Sequence, residues 1–394
     1  MTATPYHGLR VVEIADDPGG EYTGKLLAGS GADVIKVEPP SGAAGRRIGP
    51  FAGDRTDPEA SLSFRWYNAG KRSVTIDDAE DAGRAALAEL IAGADVLLTS
   101  LPPAQAAARG LVPAELAARH PRLIVVAVTP FGLDGPWSAY RGGDLVGLAA
   151  GGMLHSCGYD DHSIPPIRPG GDHAYTTAAS FAHTGLLLAL LERRRTGKGQ
   201  VVDVSVHAAC AVSGELSNPF WFYPKAIVKR QTCRHAQPAP TQPALFRCGD
   251  DRYVYFALIL ADQKPWRALV EWMDDMGLAA DLTDPAYDDL AHRQANFAHV
   301  QELVEVFFLL MDAETAYHEG QRRGLPIGVS RAPEELFDDE HLRAREFFVE
   351  VEEEEGARPV PHPGSPYRFS SFDLPGPRRA PRLGEHTAEV LEGV

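Results

Sequence analysis

The sequence predicts an α/β protein built on a parallel sheet. Four short runs rich in Val, Ile and Leu alternate with helical patterns: "LRVVEIA" from Leu9, "DVIKVE" from Asp33, "DVLLTS" from Asp95 and "RLIVVAVT" from Arg122. Such alternation is the mark of βαβ units with helices on both faces of a sheet. The 394 residues suffice for two compact domains, and 44% hydrophobic with 23% charged residues is ordinary for a globular chain.

The turn after the first run, "DDPGGEYTG", is glycine-rich but lacks G-x-G-x-x-G. Its acids also crowd the helix-end amides that a pyrophosphate would need, so nicotinamide and flavin binding are not expected. The stretch "PIRPGGDHAYTTAASFAHTGLLLALLERRRTGKGQ" then drives Asp172 out of a Pro/Gly turn into a helix from His173 to Arg195. Apolar residues nearly surround its C-terminal half, which predicts a buried helix. Arg193, Arg194 and Arg195 complement the helix dipole, and Gly197 or Gly199 stops it.

A strand, "GQVVDVSVHAAC", follows. The proline- and aromatic-rich "SNPFWFYPKAIVKRQTCRHAQPAPTQPA" reads as a linker. A new unit has a strand around "RYVYFALI" and helices near Pro265–Met276 and Asn296–Met311, and ends before "RRGLPIGVS". The run Glu352 to Glu355 reads as a solvated hairpin or loop.

Composition excludes several classes. The charge balance of 38 − 54 = −16 argues against nucleic acid. The beginning, "MTATPYHGLRVVEIA", shows no signal-peptide pattern, so a cytoplasmic location is expected. The greasiest run, Leu186 to Leu191, falls far short of the roughly 20 residues that span a bilayer. Cys157, Cys210, Cys233 and Cys248 lie far apart without a CxxC pair, and His155 with Cys157 makes a poor metal site, so no structural metal or disulfide is expected.

Asp172 is the residue with chemical promise, and its position admits two readings. Aspartate is a preferred N-cap. The same helix end keeps a carboxylate ionised, and an ionised carboxylate at a pocket wall is a nucleophile.

Further phrases carry a resemblance: "LLAGSGADVIKVEPPSG", "NAGKRSVTIDD", "ADVLLTS", "HPRLIVVAVTPFGLDGPW", "GGD" ahead of "RRRTGKGQVVDVSV", "GLPIGVSRAPEEL" and "RLGEHTAEVL". In this order and spacing, over nearly the whole chain, the sequence resembles the family III CoA-transferases, including the formyl-CoA and carnitine enzymes. The resemblance implies that Asp172 attacks an acyl-CoA thioester, forming an acyl-aspartyl anhydride and then an aspartyl-CoA thioester from which CoA passes to a carboxylic acid. It implies CoA contacts at Arg109, Ile76, Ser100 and Leu101, with Lys71, Arg72, Arg46 and Arg47 as further cations for the CoA phosphates. CoA and acyl-CoA are substrates here, and no tightly bound cofactor is expected. Gly142, Gly143, Gly170 and Gly171 serve simple turns or present amides to an oxyanion. His173, Tyr175, Trp137 and Tyr140 are candidate lining residues.

The sequence also departs from its relatives. Pro39 stands where several place a CoA-binding arginine, Glu21 is an extra acid, and Ser100, Thr129 and Leu133 replace other residues. The α-methylacyl-CoA racemases resemble the chain equally in fold, but they supply a second proton carrier from "GHD", where this chain has Gly143. A CoA-binding protein without turnover is the alternative from another class.

The resemblance implies a Rossmann-like large domain with a parallel sheet, residues 1–218 and 322–394, and a linker and smaller α+β domain at 219–321. It further implies an interlocked homodimer, no membrane, and acyl-CoA with a small carboxylic acid as partners.

Overall fold

The computed structural model describes residues 4–214, 217–257, 263–354, 356 and 358–392. The chain divides into two compact units, one of Met1–Leu154, Arg168–Glu215 and Glu340–Val394, the other of His155–Ile167 and Leu216–Asp339.

The first unit is a six-stranded sheet of β1 (Arg10–Ile14), β2 (Asp33–Glu38), β3 (Arg72–Thr75), β4 (Val96–Thr99), β5 (Ile124–Thr129) and β6 (Val201–Ser205). Every neighbouring pair is parallel, in the order β3-β2-β1-β4-β5-β6. This is the doubly wound order, with its switch point between β1 and β4. Strands buried on both faces read as continuous apolar runs, and β4 and β5 are buried at every residue. Strand β3 escapes the sequence reading because "RSVT" is short and polar at three of its four residues.

Helices α1 (Pro18–Gly29), α2 (Leu62–Asn68), α3 (Asp81–Ala92), α4 (Pro103–Ala108), α5 (Pro113–Arg119), α6 (Asp144–Ala150), α7 (His173–Thr196) and α8 (Val206–Val212) belong to this unit. The expected strand through Cys210 ends instead at Ser205, whose hydroxyl accepts the Ala208 amide at 3.2 Å and opens α8.

Helix α7 packs on α1, α6, α8, β5 and β6 through a stripe of small residues, Ala174, Ala178, Ala182 and Ala189, with Leu186. It is long and apolar enough to cross a membrane by length and composition. The expectation of burial all round does not hold: Phe181, Leu188 and Leu191 on its other side are exposed.

Beneath α1 lies a buried charge network. Lys36 is 3.2 Å from Glu13 and 2.9 Å from Glu21, and Lys71 is 2.7 Å from Glu13. A Cβ on Gly24 would fall 1.8 Å from Glu13 Oε2, so only glycine lets α1 close over these charges. The extra acid Glu21 is thus a partner of Lys36.

In the second unit the expected linker holds a short helix, α9 (Ser217–Phe222), and a hairpin of β7 (Lys229–Gln231) and β8 (Arg234–Gln237). Pro219 is tolerated because it sits in the first turn of α9, where amides lack intrahelical acceptors. Beyond them, β9 (Leu245–Arg247), β10 (Tyr253–Phe256) and β11 (Ile327–Val329) form an antiparallel sheet. Residues 258 and 259 of the expected "RYVYFALI" strand lie outside the described residues.

Helices α10 (Gln263–Asp275), α11 (Leu290–Ala295), α12 (Phe297–Leu309) and α13 (Ala313–Arg322) complete this unit. Its core joins Phe246, Trp272, Phe307 and Phe308, each burial contributing about 1.5–3 kcal/mol. Because β11 pairs with β10, this unit continues to Asp339, past the 321 read from sequence.

The C-terminal segment returns to the first unit through α14 (Glu340–Ala344), the hairpin of β12 (Phe348–Val351) and β13 (Val360–Pro363), and α15 (Thr387–Leu391). The phrase "RLGEH" docks on β3: the Gly384 amide donates to Ser73 Oγ at 2.9 Å, and the His386 amide donates to the Ser73 carbonyl.

Candidate active site

Crossover helices begin at the carboxyl edge of a parallel sheet, and two of them begin side by side here. Asp17 caps α1, its carboxylate accepting the Gly20 amide at 3.0 Å. Asp172 precedes α7. A Cβ on Gly19 would fall 2.9 Å from the Tyr175 ring, so the missing side chain lets the two helix starts approach. Burial pushes the Asp17 carboxyl up to about 6, against the pull of the Gly20 amide.

Asp172 occupies the N-cap position by backbone alone: its carbonyl accepts the Thr176 amide at 2.9 Å, but its side chain makes no capping bond. Asp144, the first residue of α6, does that work from outside the helix, its Oδ1 accepting the Ala174 amide at 2.8 Å. The expected side-chain cap is thereby corrected. With the Ala174 amide satisfied by another residue, the Asp172 carboxylate is free to point elsewhere.

It points at two donors. The Tyr67 hydroxyl donates to Asp172 Oδ2 at 2.8 Å, and Arg168 Nη2 lies 3.4 Å from Oδ1. Arg168 is itself held by Asp144 Oδ2 at 2.8 Å and by the Gly171 carbonyl at 2.9 Å. The Asp144 hydrogen bond raises the Arg168 guanidinium above its ordinary range, fixing its charge. Gly171 takes a φ of +84°, a left-handed conformation natural for glycine, where the chain turns into α7. The Asp172 side chain remains 32% exposed, so a substrate can reach it.

Tyr67 is placed by a rigid base. Ser61 caps α2 by accepting the Phe64 amide at 3.1 Å, and Asn68 at its end accepts from Lys71 at 2.8 Å. The Tyr67 ring meets Tyr22 of α1 edge-on, with 6.1 Å between centroids. Burial, then the bond to Asp172, pushes the phenol well above its ordinary range and keeps it a neutral donor.

The residues expected at CoA fall into two groups. Ser100 follows β4 at the switch point, its Oγ accepting the Asp16 amide at 3.2 Å. Ile76 and Leu101 share one apolar cluster, and Arg109 Nε lies 2.6 Å from Asp78 Oδ2. Ile76 and Asp78 lie just past the carboxyl end of β3, and Ser100 and Leu101 just past that of β4.

Arg46, Lys71 and Arg72 do not join them. Arg46 is fully buried, 2.6 Å from Glu38 and 3.0 Å from Glu59, with its guanidinium 3.8 Å over the Phe64 ring. Lys71 belongs to the charge network under α1. Arg72 opens β3 and forks onto Asp33, which opens β2, at 2.9 and 2.8 Å, placing it at the opposite edge of the sheet. Arg47 bonds the Ser41 carbonyl at 2.9 Å, and Pro39 is exposed just beyond β2.

Trp137 and Tyr140 stack 6.3 Å apart beside Phe131 and His207. The Leu133 amide donates to Asp203, and Thr129 is buried at the end of β5. Among the described residues no group of three or more His, Cys, Asp or Glu is arranged to hold a metal ion, and the four cysteines are free.

Tyr67, Arg168 and Asp144 went unread as site residues. Arg168 stands in the stretch quoted from Pro166 and Asp144 directly follows Gly142 and Gly143, while nothing local marks Tyr67.

The fold is thus a doubly wound α/β sheet with a partly exposed carboxylate, Asp172, at its carboxyl edge. The sequence matches CoA-transferase family III over residues 6–387, and the chain belongs to that family as an enzyme of the CoA-transferase class. It is 34% identical over 387 residues to succinyl-CoA:(R)-benzylsuccinate CoA-transferase subunit BbsE of Thauera aromatica, covering 97% of this chain and 92% of that one. Identity to succinyl-CoA:mesaconate CoA-transferase of Haloarcula hispanica is 29%, over 98% of this chain and 95% of the relative. The solved structure of a CAIB/BAIF family protein from Brucella suis superposes with a TM-score of 0.85 at 28% identity, covering all of both chains.

Proposed function

We propose that the protein moves CoA from an acyl-CoA thioester to a free carboxylic acid with Asp172 as the covalent nucleophile. The carrying observation is the Asp172 carboxylate, freed from helix capping by Asp144 and held between Tyr67 and Arg168. Asp172 attacks the thioester carbonyl to give an acyl-aspartyl anhydride and CoA thiolate. The thiolate returns to make an aspartyl-CoA thioester, which the acceptor carboxylate attacks in turn. Anhydride and thioester are both activated acyl species, so one carboxylate runs the exchange in either direction.

The two relatives named above act, by their names, on succinyl-CoA with benzylsuccinate or mesaconate, and all three acids are dicarboxylic. We place the substrates of this chain in that class. Ser100, Leu101, Ile76 and Arg109 are the CoA contacts that this reading retains, Arg109 serving the phosphates.

A racemase would need a proton carrier where this chain has Gly143, which favours transfer. The exposed Phe181, Leu188 and Leu191 of α7 support a homodimer that covers them.

The test is a panel of dicarboxylic acids incubated with succinyl-CoA and enzyme, with CoA esters followed by mass spectrometry. New CoA esters of at least one acid support the reading. CoA binding without exchange on any acid points to a binding protein, and deuterium uptake from D2O at the α-carbon of succinyl-CoA without CoA exchange points to a racemase.

A further inference from the structure

Resting on the covalent reading of Asp172, we propose that Tyr67 is a catalytic residue: its hydroxyl is the oxyanion donor for every attack on the Asp172 carboxyl carbon.

The two oxygens of Asp172 have different surroundings. Oδ2 receives a well-formed hydrogen bond of 2.8 Å from the Tyr67 hydroxyl. Among the described residues, Oδ1 has only the long 3.4 Å approach of Arg168 Nη2. A neutral O–H donor draws electron density from the oxygen it touches, which leaves Oδ1 as the attacking atom.

The remaining chemistry follows by balance. In the first step an Oδ1 electron pair forms a bond to the donor carbonyl carbon, and the C–S bond breaks to release CoA thiolate. The product is a mixed anhydride bridged by Oδ1, and Oδ2 is now the aspartyl carbonyl oxygen. In the second step the thiolate adds to Cγ and the Cγ–Oδ2 π pair moves onto Oδ2. Collapse restores the carbonyl and expels the donor acid as its carboxylate, carrying Oδ1 away.

In the third step the acceptor carboxylate adds to Cγ of the thioester, and the π pair again rests on Oδ2 before thiolate leaves. In the fourth the thiolate attacks the acceptor carbonyl and frees the Asp172 carboxylate. No proton or external oxidant enters. The second and third steps place negative charge on the oxygen that Tyr67 already contacts, so the donor needs no rearrangement.

Position and protonation state suit that task. Tyr67 stands on α2, whose start is capped by Ser61 and whose end is tied through Asn68 to buried Lys71. Its ring is braced by Tyr22. A phenol that resists ionisation stays a donor across the working range of a carboxylate nucleophile.

The division between steps provides the test. Tyr67→Phe keeps the ring and its Tyr22 contact and deletes only the donor. Wild type and variant are mixed with succinyl-CoA and quenched within the first turnover. Trapping with hydroxylamine then reports the succinyl group passed to Asp172, and intact mass reports the CoA adduct. In the variant, formation of the aspartyl-CoA adduct should slow about a hundredfold while first attack on the donor stays within about threefold of wild type.

Thermal unfolding of both proteins, expected to agree, separates this from misfolding. An aspartyl-CoA adduct that forms at the wild-type rate overturns the proposal. So does an equal slowing of both steps, which would make Tyr67 only an aligner of the nucleophile. Exchange that persists in Asp172→Asn sinks the covalent reading instead, so the two failures are distinct.

Discussion

The carboxylate of Asp144 accepts the Ala174 amide at 2.8 Å, closing the first turn of the helix whose N-cap residue is Asp172. Capping and catalysis are thus divided between two aspartates. One oxygen of Asp144 holds the helix, and the other holds Arg168 against the site.

Asp144→Ala therefore removes two charge-assisted hydrogen bonds at once. We expect a loss of about 2–3 kcal/mol in urea unfolding and a larger fall in exchange rate than that loss explains, because Arg168 is released. Asp144→Asn keeps an acceptor for Ala174 and should recover most of the stability but not the rate.

Asp17 gives a pH-dependent prediction. Its folded value of about 6 lies above the ordinary 3.8, so its protonated form adds stability that is complete below pH 4 and lost as pH rises through 6. Asparagine caps as well as aspartate. Asp17→Asn should be more stable than wild type by about 1–2 kcal/mol at pH 7.5, with the difference closing as pH falls toward 4 in thermal melts.

Lys71 is a structural charge. Lys71→Met leaves Glu13 buried with half its pairing, which costs about 3–5 kcal/mol. Denaturant titration should show that loss, and the KM for acyl-CoA of the folded fraction should stay near wild type.

The two edges of the sheet make a paired prediction for arginines. Arg109→Gln should raise the KM for acyl-CoA about tenfold through a lost phosphate contact. Arg72→Gln, at the far edge on Asp33, should leave it within about twofold. Steady-state kinetics on both variants read this directly.

How much was legible in the sequence follows from the range of the forces involved. Periodicity is local, so β1, β2, β4, β5 and α7 could be read from it, whereas four-residue β3 carries too little pattern. Strand β6 was read too long because Val206 continues the alternation past Ser205, where a side-chain cap starts a helix. Asp172 stood out from its place between a Pro/Gly turn and a long helix, but that position left capping and catalysis both open, and it was the family resemblance that pointed to a nucleophile.

Its surroundings were not. Arg46 reads as a cation for the CoA phosphates until Glu38 and Glu59 are brought to it, and Tyr67 reaches Asp172 only when α2 and the start of α7 converge. The Tyr67–Asp172 contact joins residues 105 positions apart, and the Arg46 pairs, 8 and 13 positions apart, lie within no single helix or strand.

The most direct test of the central claim is Asp172→Asn, compared with wild type during turnover of succinyl-CoA and a dicarboxylic acid by intact and peptide mass spectrometry. The account predicts a CoA adduct on wild-type Asp172, none on the variant, and at least about a thousandfold loss of exchange with the fold intact. Exchange at the wild-type rate in Asp172→Asn, or a CoA adduct on a different residue, would contradict it.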